Sequence, residues 1–419
     1  MERIDVTTDS LSKYAVRPPV FVCNNTTKAG LAFSFGYLIL RGGCFAAAKI
    51  GFGQHFAKPY LGRGARDDVS MAFLSFLLLL TLGAGLFGLI AYLLRHRMRR
   101  VAQVVGLLGL LVALFLVALW VVEVSGWERD GLYQQLLYGL EHEDIIRFLE
   151  EQEDHREQAL VLVSQSAWAL HHCAVQLPES RERSLARLRW MAQWLMDEER
   201  FPQWKQRNNW EQQAFFLSQA ALILGHYQLA TADETYAPAW SRVCQFLANG
   251  IQRSKYKHLA SRPRDMALRP TDNAAALLAL QLHDLYYDSE LLHAPADDWD
   301  SYIAKELRYD SARFPCAGFT TTNRCRLAPV GTSFAWLNVY TTQLGREAAR
   351  YYWRDFRHYY KESFGFLAAW IAEVPEDGMI PEFCDFSVQP LTCGQFATVF
   401  GLQAAAQRGD WLSYYQLNN

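Results

Sequence analysis

The sequence lacks several features that would place it in a familiar functional class. Its formal net charge is only -2, and it has no basic stripe interleaved with aromatic side chains, so nucleic acid is not expected as a partner. It has neither a C-x-x-C nor an H-x-x-x-H motif, so we predict no metal site, and we expect no cofactor. No basic start followed by an apolar core and a cleavage site marks a signal peptide.

Apolar residues, by contrast, are abundant. They make up 51% of the 419 residues, and 20% are charged, which is enough for one large core or two smaller ones. Aromatic side chains contribute 14%, including 13 Trp and 20 Tyr. Two interpretations of these rings stay open: they pack within a large helical core, or they line a cavity for an apolar or sugar-like ligand.

Two long apolar stretches, residues 71–94 and 101–122, are the strongest local signal. Each is long enough, at about 1.5 Å per residue, to cross a bilayer core of about 30 Å as a helix. The loop 95–100 between them carries four arginines, and basic loops stay on the cytoplasmic side. We therefore predict a transmembrane hairpin, 71–124, in the cell (inner) membrane, with lipid as a partner and the following domain extracytoplasmic.

The segment 1–70 differs in character, because clusters with Pro and Gly interrupt short apolar runs that have no sustained period. We predict an irregular N-terminal segment. Since Met71 stands at the start of the first apolar stretch, a further hypothesis is that translation begins there. Recovery of peptides from upstream of Met71 would exclude that hypothesis.

From about residue 211 onwards, a helical hairpin recurs about every 60 residues. Each repeat opens with a polar cluster before an apolar helix, at 208–211, 270–273, 330–333 and 391–394. The period exceeds that of the common helical solenoids, and each hairpin leaves an apolar face that only its neighbours cover. We therefore predict an all-α fold in which 125–419 form an α/α toroid, with the openings around one mouth.

Apolar periodicity places the helices of this domain. The predicted ranges are 156–175, 181–198, 211–229, 233–253, 271–287, 298–309, 331–344, 347–370 and 391–408. Helices that follow the openings are rich in Ala, Leu, Ser and Thr and are expected inside, with their charged partners outside. The last hairpin has few residues for a second helix, so either 131–152 helps to close the ring or one edge stays open.

Six of the eight cysteines follow the predicted membrane hairpin. Outside the cytoplasm such cysteines can form disulfides. Two pairs bracket loops of the predicted mouth, with eight residues between the members of each: Cys316 with Cys325, and Cys384 with Cys393.

The polar residues at the mouth are the candidates for chemistry, because carboxylates from different repeats that face one cavity suit general acid and base catalysis. Asp272 comes first, since it opens an inner helix where N–H groups favour a carboxylate, although it is equally placed as a helix cap. The other catalytic candidates are Glu211, Glu382, Asp385 and Cys384. The substrate-binding candidates are Asn209, Arg262, Arg264, Trp336 and Tyr340. Three histidines in apolar stretches are interpreted as core residues: His171, His172 and His283.

Three groups of residues between about 155 and 415 carry a resemblance to a known family. They are 222–229 (LILGHYQL); 340–342 (YTT) with Tyr351, Tyr352 and Phe356; and 394–397 (GQFA) with 408–410 (RGD). In these stretches the chain resembles the bacterial linalool dehydratase/isomerase family. The resemblance implies an α/α toroid and proton transfer to and from an allylic tertiary alcohol and the alkene that it yields.

The chain departs from that family at two important positions. The resemblance implies a histidine and cysteines at the mouth, but the register puts Gln219 at the histidine position and Asp272 at one cysteine position. Neither substitution preserves the chemistry of the side chain that it replaces. The resemblance therefore implies a relative on the same scaffold, and not a terpene-alcohol dehydratase by default.

Together these observations predict a membrane-anchored enzyme with acid–base lyase or isomerase chemistry on a small hydroxylated or apolar substrate. Two alternatives stay open: a carbohydrate-active hydrolase, lyase or epimerase on an α/α toroid, and a membrane-anchored binding module without catalysis. Two carboxylates about 5–10 Å apart in a Trp-lined cleft would favour the first alternative. A mouth without converging ionisable groups would favour the second. Assembly into a homo-oligomer is also left open.

Overall fold

Helices dominate the part of the chain that the structure describes, as predicted. The computed structural model describes single positions between 85 and 92 and the ranges 99–125, 127–142, 144–151, 156–264, 266–307, 315–364, 368–372 and 393–418. The predictions for 1–70 and for the start of the first apolar stretch lie outside these residues. The second apolar stretch falls within the first described helix.

The helices follow one another with short connections. In chain order they are α1 (Arg99–Ser125), α2 (Trp127–His142), α3 (Asp144–Glu151), α4 (Arg156–Gln176), α5 (Arg181–Leu195), α6 (Ala214–Thr231), α7 (Ala237–Arg253), α8 (Pro270–Tyr287), α9 (His293–Glu306), α10 (Gly331–Gln343), α11 (Ala348–Tyr359), α12 (Cys393–Arg408) and α13 (Trp411–Asn418). Short 3-10 helices cover Pro178–Ser180, Pro202–Trp204, Arg207–Gln212 and Glu234–Tyr236.

Two kinds of helix alternate after α4. The helices that follow polar openings are buried on nearly every side, and every residue of 214–228 in α6 and of 270–280 in α8 is buried. Their partners bury one face only, as α7 does with Trp240, Val243, Cys244, Leu247, Ala248 and Ile251. That spacing of three and four residues is typical of an amphipathic helix at the edge of a core.

The buried helices pack on one another in chain order. Helix α4 contacts α6, α6 contacts α8, α8 contacts α10, and α10 contacts α12. Side chains of α4 also reach the last repeats, because Gln165 is hydrogen-bonded to Tyr340 of α10 and to Gln403 of α12. Residues that are far apart in the sequence therefore meet in one interior.

Some helix boundaries differ from the prediction. Helix α6 begins at Ala214 and not at 211, because 207–212 form a 3-10 helix whose Trp210 is buried and donates its Nε1–H to the carbonyl of Gln203 at 3.0 Å. The region 131–152, predicted as one helix, belongs to α2 and α3.

The prediction of a helix from 347 to 370 is wrong at its C-terminal end. Helix α11 ends at Tyr359, and the following residues form an antiparallel hairpin of β3 (Lys361–Phe364) and β4 (Ala368–Ile371). Burial alternates along β4, with Trp370 47% exposed and Ile371 fully buried, which is the two-residue period of a strand. A smaller pair, β1 (Gly318–Phe319) and β2 (Cys325–Leu327), precedes α10.

The cysteine prediction is confirmed for one pair. Cys316 and Cys325 form a disulfide that joins the two sides of the loop between β1 and β2. Cys384 lies outside the described residues, so its pairing with Cys393 stays a prediction.

None of the described helices combines the length and the apolarity of a membrane span.

Candidate active site

The loop between α7 and α8 covers the beginning of α6. The carbonyls of Ala260 and Ser261 accept the N–H groups of Ala214 and Phe215, at 3.0 and 3.2 Å. These are N–H groups of the first turn of α6, which have no partner within the helix. The loop thus replaces a side-chain cap and fixes the N-terminal end of α6.

Asn273, one of the polar residues that open α8, holds the same loop from the other side. Its Oδ1 accepts the N–H of Leu259 at 2.9 Å, and its Nδ2 donates to the carbonyl of Leu259 at 3.1 Å. The amide therefore pairs with a loop peptide as a neighbouring strand would, and the role of Asn273 is structural.

Two of the predicted openings lie side by side. Leu268 and Phe319 exchange backbone hydrogen bonds of 2.9 and 3.0 Å, which connects the loop before α8 to the loop before α10. A small crevice next to this contact is lined by Thr271 on one side and by Ser333 on the other. The sequence-based expectation that these polar clusters come together therefore holds for the second and third openings.

Asp272 is buried near the start of α8, with 3% of its side chain exposed. Burial raises its pKa, and the opposing charges of Arg262 and Arg269 and the nearby Ser261 hydroxyl do not cancel that rise. Its Oδ2 lies 3.7 Å from Nη1 of Arg262 and accepts no hydrogen bond from the described residues. Asp272 is thus a carboxyl group whose proton is held more tightly than usual.

Arg262 connects the buried carboxyl group to the surface. Its Nε and Nη2 donate to the carboxylate of Glu157 at 2.7 Å, and its guanidinium lies 4.5 Å from the ring centre of Phe215. The side chain is 18% exposed, whereas that of Glu157 is 48% exposed. Arg262, which the sequence predicts as a substrate-binding residue, therefore lies between the buried Asp272 and the more exposed Glu157.

Deeper in the same interior, three side-chain donors converge on the hydroxyl oxygen of Tyr340. Trp336 donates from Nε1 at 2.7 Å, Gln165 from Nε2 at 3.3 Å and Gln219 from Nε2 at 3.4 Å. Gln403 extends the cluster by donating to Oε1 of Gln165 at 3.4 Å. The donors come from α4, α6 and α10, so the cluster needs the folded chain to exist.

The electrostatics of this cluster link Tyr340 to Asp272. Burial raises the pKa of Tyr340 despite the hydrogen bonds from Gln219, Trp336 and Gln165, and the negative charge of Asp272 adds to that rise. Tyr340 is therefore a protonated phenol, and no acceptor for its own proton is found among the described residues. The amide oxygens of Gln219 and Gln403 likewise have no donor there.

We define the axial cluster as Asp272, Trp336, Tyr340, Gln165, Gln219 and Gln403. It combines one carboxyl group that can give and take a proton with a phenol and amides that can orient a polar substrate group. Three of the predicted residues belong to this cluster: Trp336 is hydrogen-bonded to Tyr340, and the charge of Asp272 acts on Tyr340. Arg262 lies 3.7 Å from Asp272.

The other predicted residues lie elsewhere. Glu211 and Asn209 are exposed on the 3-10 helix before α6, and Arg264 is exposed on the loop before α8. Glu382, Asp385 and Cys384 lie outside the described residues, so their place at the mouth stays a prediction.

Sequence analysis missed Gln165 and Gln403, which are single polar residues within apolar helices. It also did not predict that histidines of α4 and α6 form a cluster. In this cluster His171 Nδ1 lies 3.1 Å from His226 Nδ1, and Trp168 donates to His172 at 3.1 Å. Burial lowers the pKa of His171 to about 4 and those of His172 and His226 well below the usual value. These imidazoles are neutral core residues, as interpreted for His171 and His172.

Comparison with models of known protein families and with curated proteins finds no match for the chain.

Proposed function

We propose that the chain is a membrane-anchored enzyme that performs acid–base lyase or isomerase chemistry on a small hydroxylated substrate. The observation that carries the proposal is the buried Asp272, whose pKa is raised by burial and whose negative charge is felt by the phenol of Tyr340. A carboxyl group with this property is suited to act as general acid and then as general base.

The proposed reaction is the elimination of water from an alcohol. Protonated Asp272 gives its proton to the substrate hydroxyl as the C–O bond breaks and water leaves. The carboxylate then takes a proton from the adjacent carbon, and the electron pair of that C–H bond forms the double bond. Tyr340 and the amide of Gln219 orient the hydroxyl group through hydrogen bonds, and the reverse sequence hydrates an alkene.

The proposed scaffold is an α/α toroid in which α4, α6, α8, α10 and α12 surround the axial cluster. The order of their contacts and the hydrogen bonds from Gln165 to both α10 and α12 support this arrangement. A glycosidase mechanism needs two carboxyl groups beside the substrate. Asp272 is the one carboxyl group among the described residues of the axial cluster, and on that basis we propose elimination rather than glycoside hydrolysis.

We also propose that α1 lies in a bilayer and that the domain after it is extracytoplasmic. Six large apolar side chains of α1 are each more than half exposed: Val104, Leu107, Leu108, Leu110, Leu111 and Leu114. An apolar surface of this kind needs a cover other than water. The disulfide between Cys316 and Cys325 supports the placement, because disulfides persist in oxidising compartments.

The function is tested with purified full-length protein and a panel of small allylic and tertiary alcohols, with alkene formation measured by gas chromatography. Asp272→Asn keeps the size of the side chain but removes its proton transfer, and is expected to lower turnover by about 10²- to 10⁴-fold. Asp355→Asn is the matched control, because Asp355 is also buried but pairs with Arg354 on α11. Unchanged turnover in Asp272→Asn would exclude the assigned role, and no alkene from the wild type would contradict the reaction class.

A further inference from the structure

A second group of polar side chains lies between α7 and the C-terminal half of α8. Ser241 Oγ lies 3.2 Å from Nε2 of His283, and Nδ1 of His283 lies 2.9 Å from Ser289 Oγ. Ser289 Oγ in turn donates to Oδ1 of Asp284 at 2.6 Å. Eleven residues, or about 16 Å of helix, separate His283 from Asp272, so this group is distinct from the axial cluster.

Only one assignment of donors and acceptors is consistent with the hydrogen bonds of this group. Burial raises the pKa of Asp284, but the nearby imidazole of His283 and hydrogen bonds from Ser289 and the N–H groups of Leu292 and Leu291 outweigh it and leave the pKa lowered. An ionised carboxylate only accepts hydrogen bonds, so the hydroxyl of Ser289 donates its one proton to Asp284. Ser289 Oγ can then only accept from Nδ1–H of His283.

This assignment determines the tautomer of the imidazole. With its proton on Nδ1, the imidazole of His283 presents a lone pair at Nε2, and the hydroxyl of Ser241 donates to that lone pair. A serine hydroxyl that is hydrogen-bonded to an imidazole base, with the base oriented by a further acceptor, is the arrangement that activates a nucleophile.

The surroundings separate the base from solvent while leaving the hydroxyl reachable. The side chain of His283 is 6% exposed, and the rings of Trp240 and Tyr287 lie 5.2 and 4.6 Å from its own. Ser241 is partly exposed, and Tyr287, whose ring lies 4.6 Å from that of His283, is 39% exposed. An apolar or aromatic acyl donor therefore finds a partly exposed aromatic ring next to the imidazole.

We propose that Ser241 is a base-activated nucleophile that accepts acyl or phosphonyl groups from small activated donors, with His283 as its base. For an aryl ester, Ser241 Oγ attacks the carbonyl carbon and gives its proton to Nε2 of His283. The C–O bond to the phenol breaks, and the phenol leaves with that proton. Water then attacks the acyl group by the same route and releases the carboxylic acid and free Ser241. The anion of Asp284, acting through Ser289, stabilises the imidazolium between these steps.

The test uses purified full-length protein and a fluorophosphonate probe, with the modified residue located by peptide mass spectrometry. Ser241 Oγ is expected to replace fluoride at phosphorus, and the adduct is expected to be absent from Ser241→Ala. Ser289→Ala, which interrupts the connection to Asp284 without removing the base, should slow labelling at least tenfold, and His283→Ala should abolish it. A burst of about one equivalent of nitrophenol from p-nitrophenyl acetate should disappear in the same variants.

Ser254→Ala is the matched control, because Ser254 is another partly exposed serine, whose hydroxyl accepts the N–H of Tyr256 at 3.2 Å. It should leave labelling at Ser241 unchanged. If the wild type carries no adduct at Ser241, or carries as much at Ser254, the proposal is wrong. Labelling of Ser289→Ala at the wild-type rate would also overturn it, and this variant keeps the test valid should His283→Ala fail to fold.

Discussion

Lowering the pH from 7.5 to 5 is expected to destabilise the fold through His258, an imidazole that is 1% exposed in the loop between α7 and α8. Burial lowers its pKa to about 4, and the hydrogen bond from Nδ1 to the carbonyl of Tyr256 opposes this only in part. The ring lies between those of Trp299 and Tyr302, 6.0 and 6.2 Å away. The folded protein therefore holds His258 neutral where the unfolded chain would protonate it.

The sign and the size of this change in the free energy of unfolding follow from proton linkage. Because the folded pKa lies below the unfolded value of about 6.5, the unfolded state binds the proton first as the pH falls. The stabilisation is fully present above about pH 6.5 and is lost between there and about pH 4. For these two pKa values the loss between pH 7.5 and pH 5 is about 2 kcal/mol, and near pH 4 it approaches about 3 kcal/mol.

The assay is urea unfolding of the full chain in mild detergent at pH 7.5 and pH 5, followed by circular dichroism. His258→Asn keeps a donor near Tyr256 but cannot titrate, so its free energy of unfolding should fall with pH by about 2 kcal/mol less than that of the wild type. The buried His171, His172 and His226 contribute equally to both proteins and cancel in this difference. The exposed His358→Asn should behave as the wild type does. An equal loss of stability in the wild type and His258→Asn would refute the reasoning.

The remaining predictions concern the membrane and the disulfide. Alkaline carbonate washing should leave the full chain in the membrane pellet, because the exposed leucines of α1 are expected to lie in lipid; release into the supernatant would contradict this placement. Replacing both Cys316 and Cys325 by Ser should lower the free energy of unfolding by about 2–3 kcal/mol, since the bridge joins residues nine positions apart. Thiol alkylation with and without reductant should differ at these two residues, and equal alkylation would show that they are not bridged.

The repeat predicts the buried helices well, because a helix that is covered on all sides leaves a long apolar run in the sequence. The prediction from the repeat fails where a short strand pattern follows a helix without a turn signal between them. The hairpin of β3 and β4 was missed since its two-residue alternation spans only a few positions directly after α11. Likewise, the polar cluster 208–211 resembles a helix start, but the buried Trp210 holds it in a 3-10 helix.

A site residue can be predicted from the sequence only where a suitable residue type stands at a position that the helix pattern already marks. Asp272 could be predicted because it opens a helix next to a loop, and Tyr340 and Trp336 because they lie on the next buried helix. Gln165 could not, since its contact with Tyr340 spans 175 residues and that of Gln403 with Gln165 spans 238. Nothing local to a glutamine indicates such partners. In retrospect, a single amide within an otherwise apolar, fully buried helix is the useful signal, because a buried amide requires hydrogen-bond partners.

Helix α8 carries two aspartates whose pKa values shift in opposite directions, and the helix dipole alone predicts the reverse of what is found. The dipole should stabilise the anion of Asp272 at the N-terminus and destabilise that of Asp284 near the C-terminus. Instead, burial raises the pKa of Asp272, whereas Asp284, although burial opposes it, has its pKa lowered by the nearby His283 and by three hydrogen bonds. Local donors therefore outweigh the dipole. Asp284 is a fixed anion that can orient His283, and Asp272, whose Oδ2 has no donor among the described residues, is the one suited to exchange a proton.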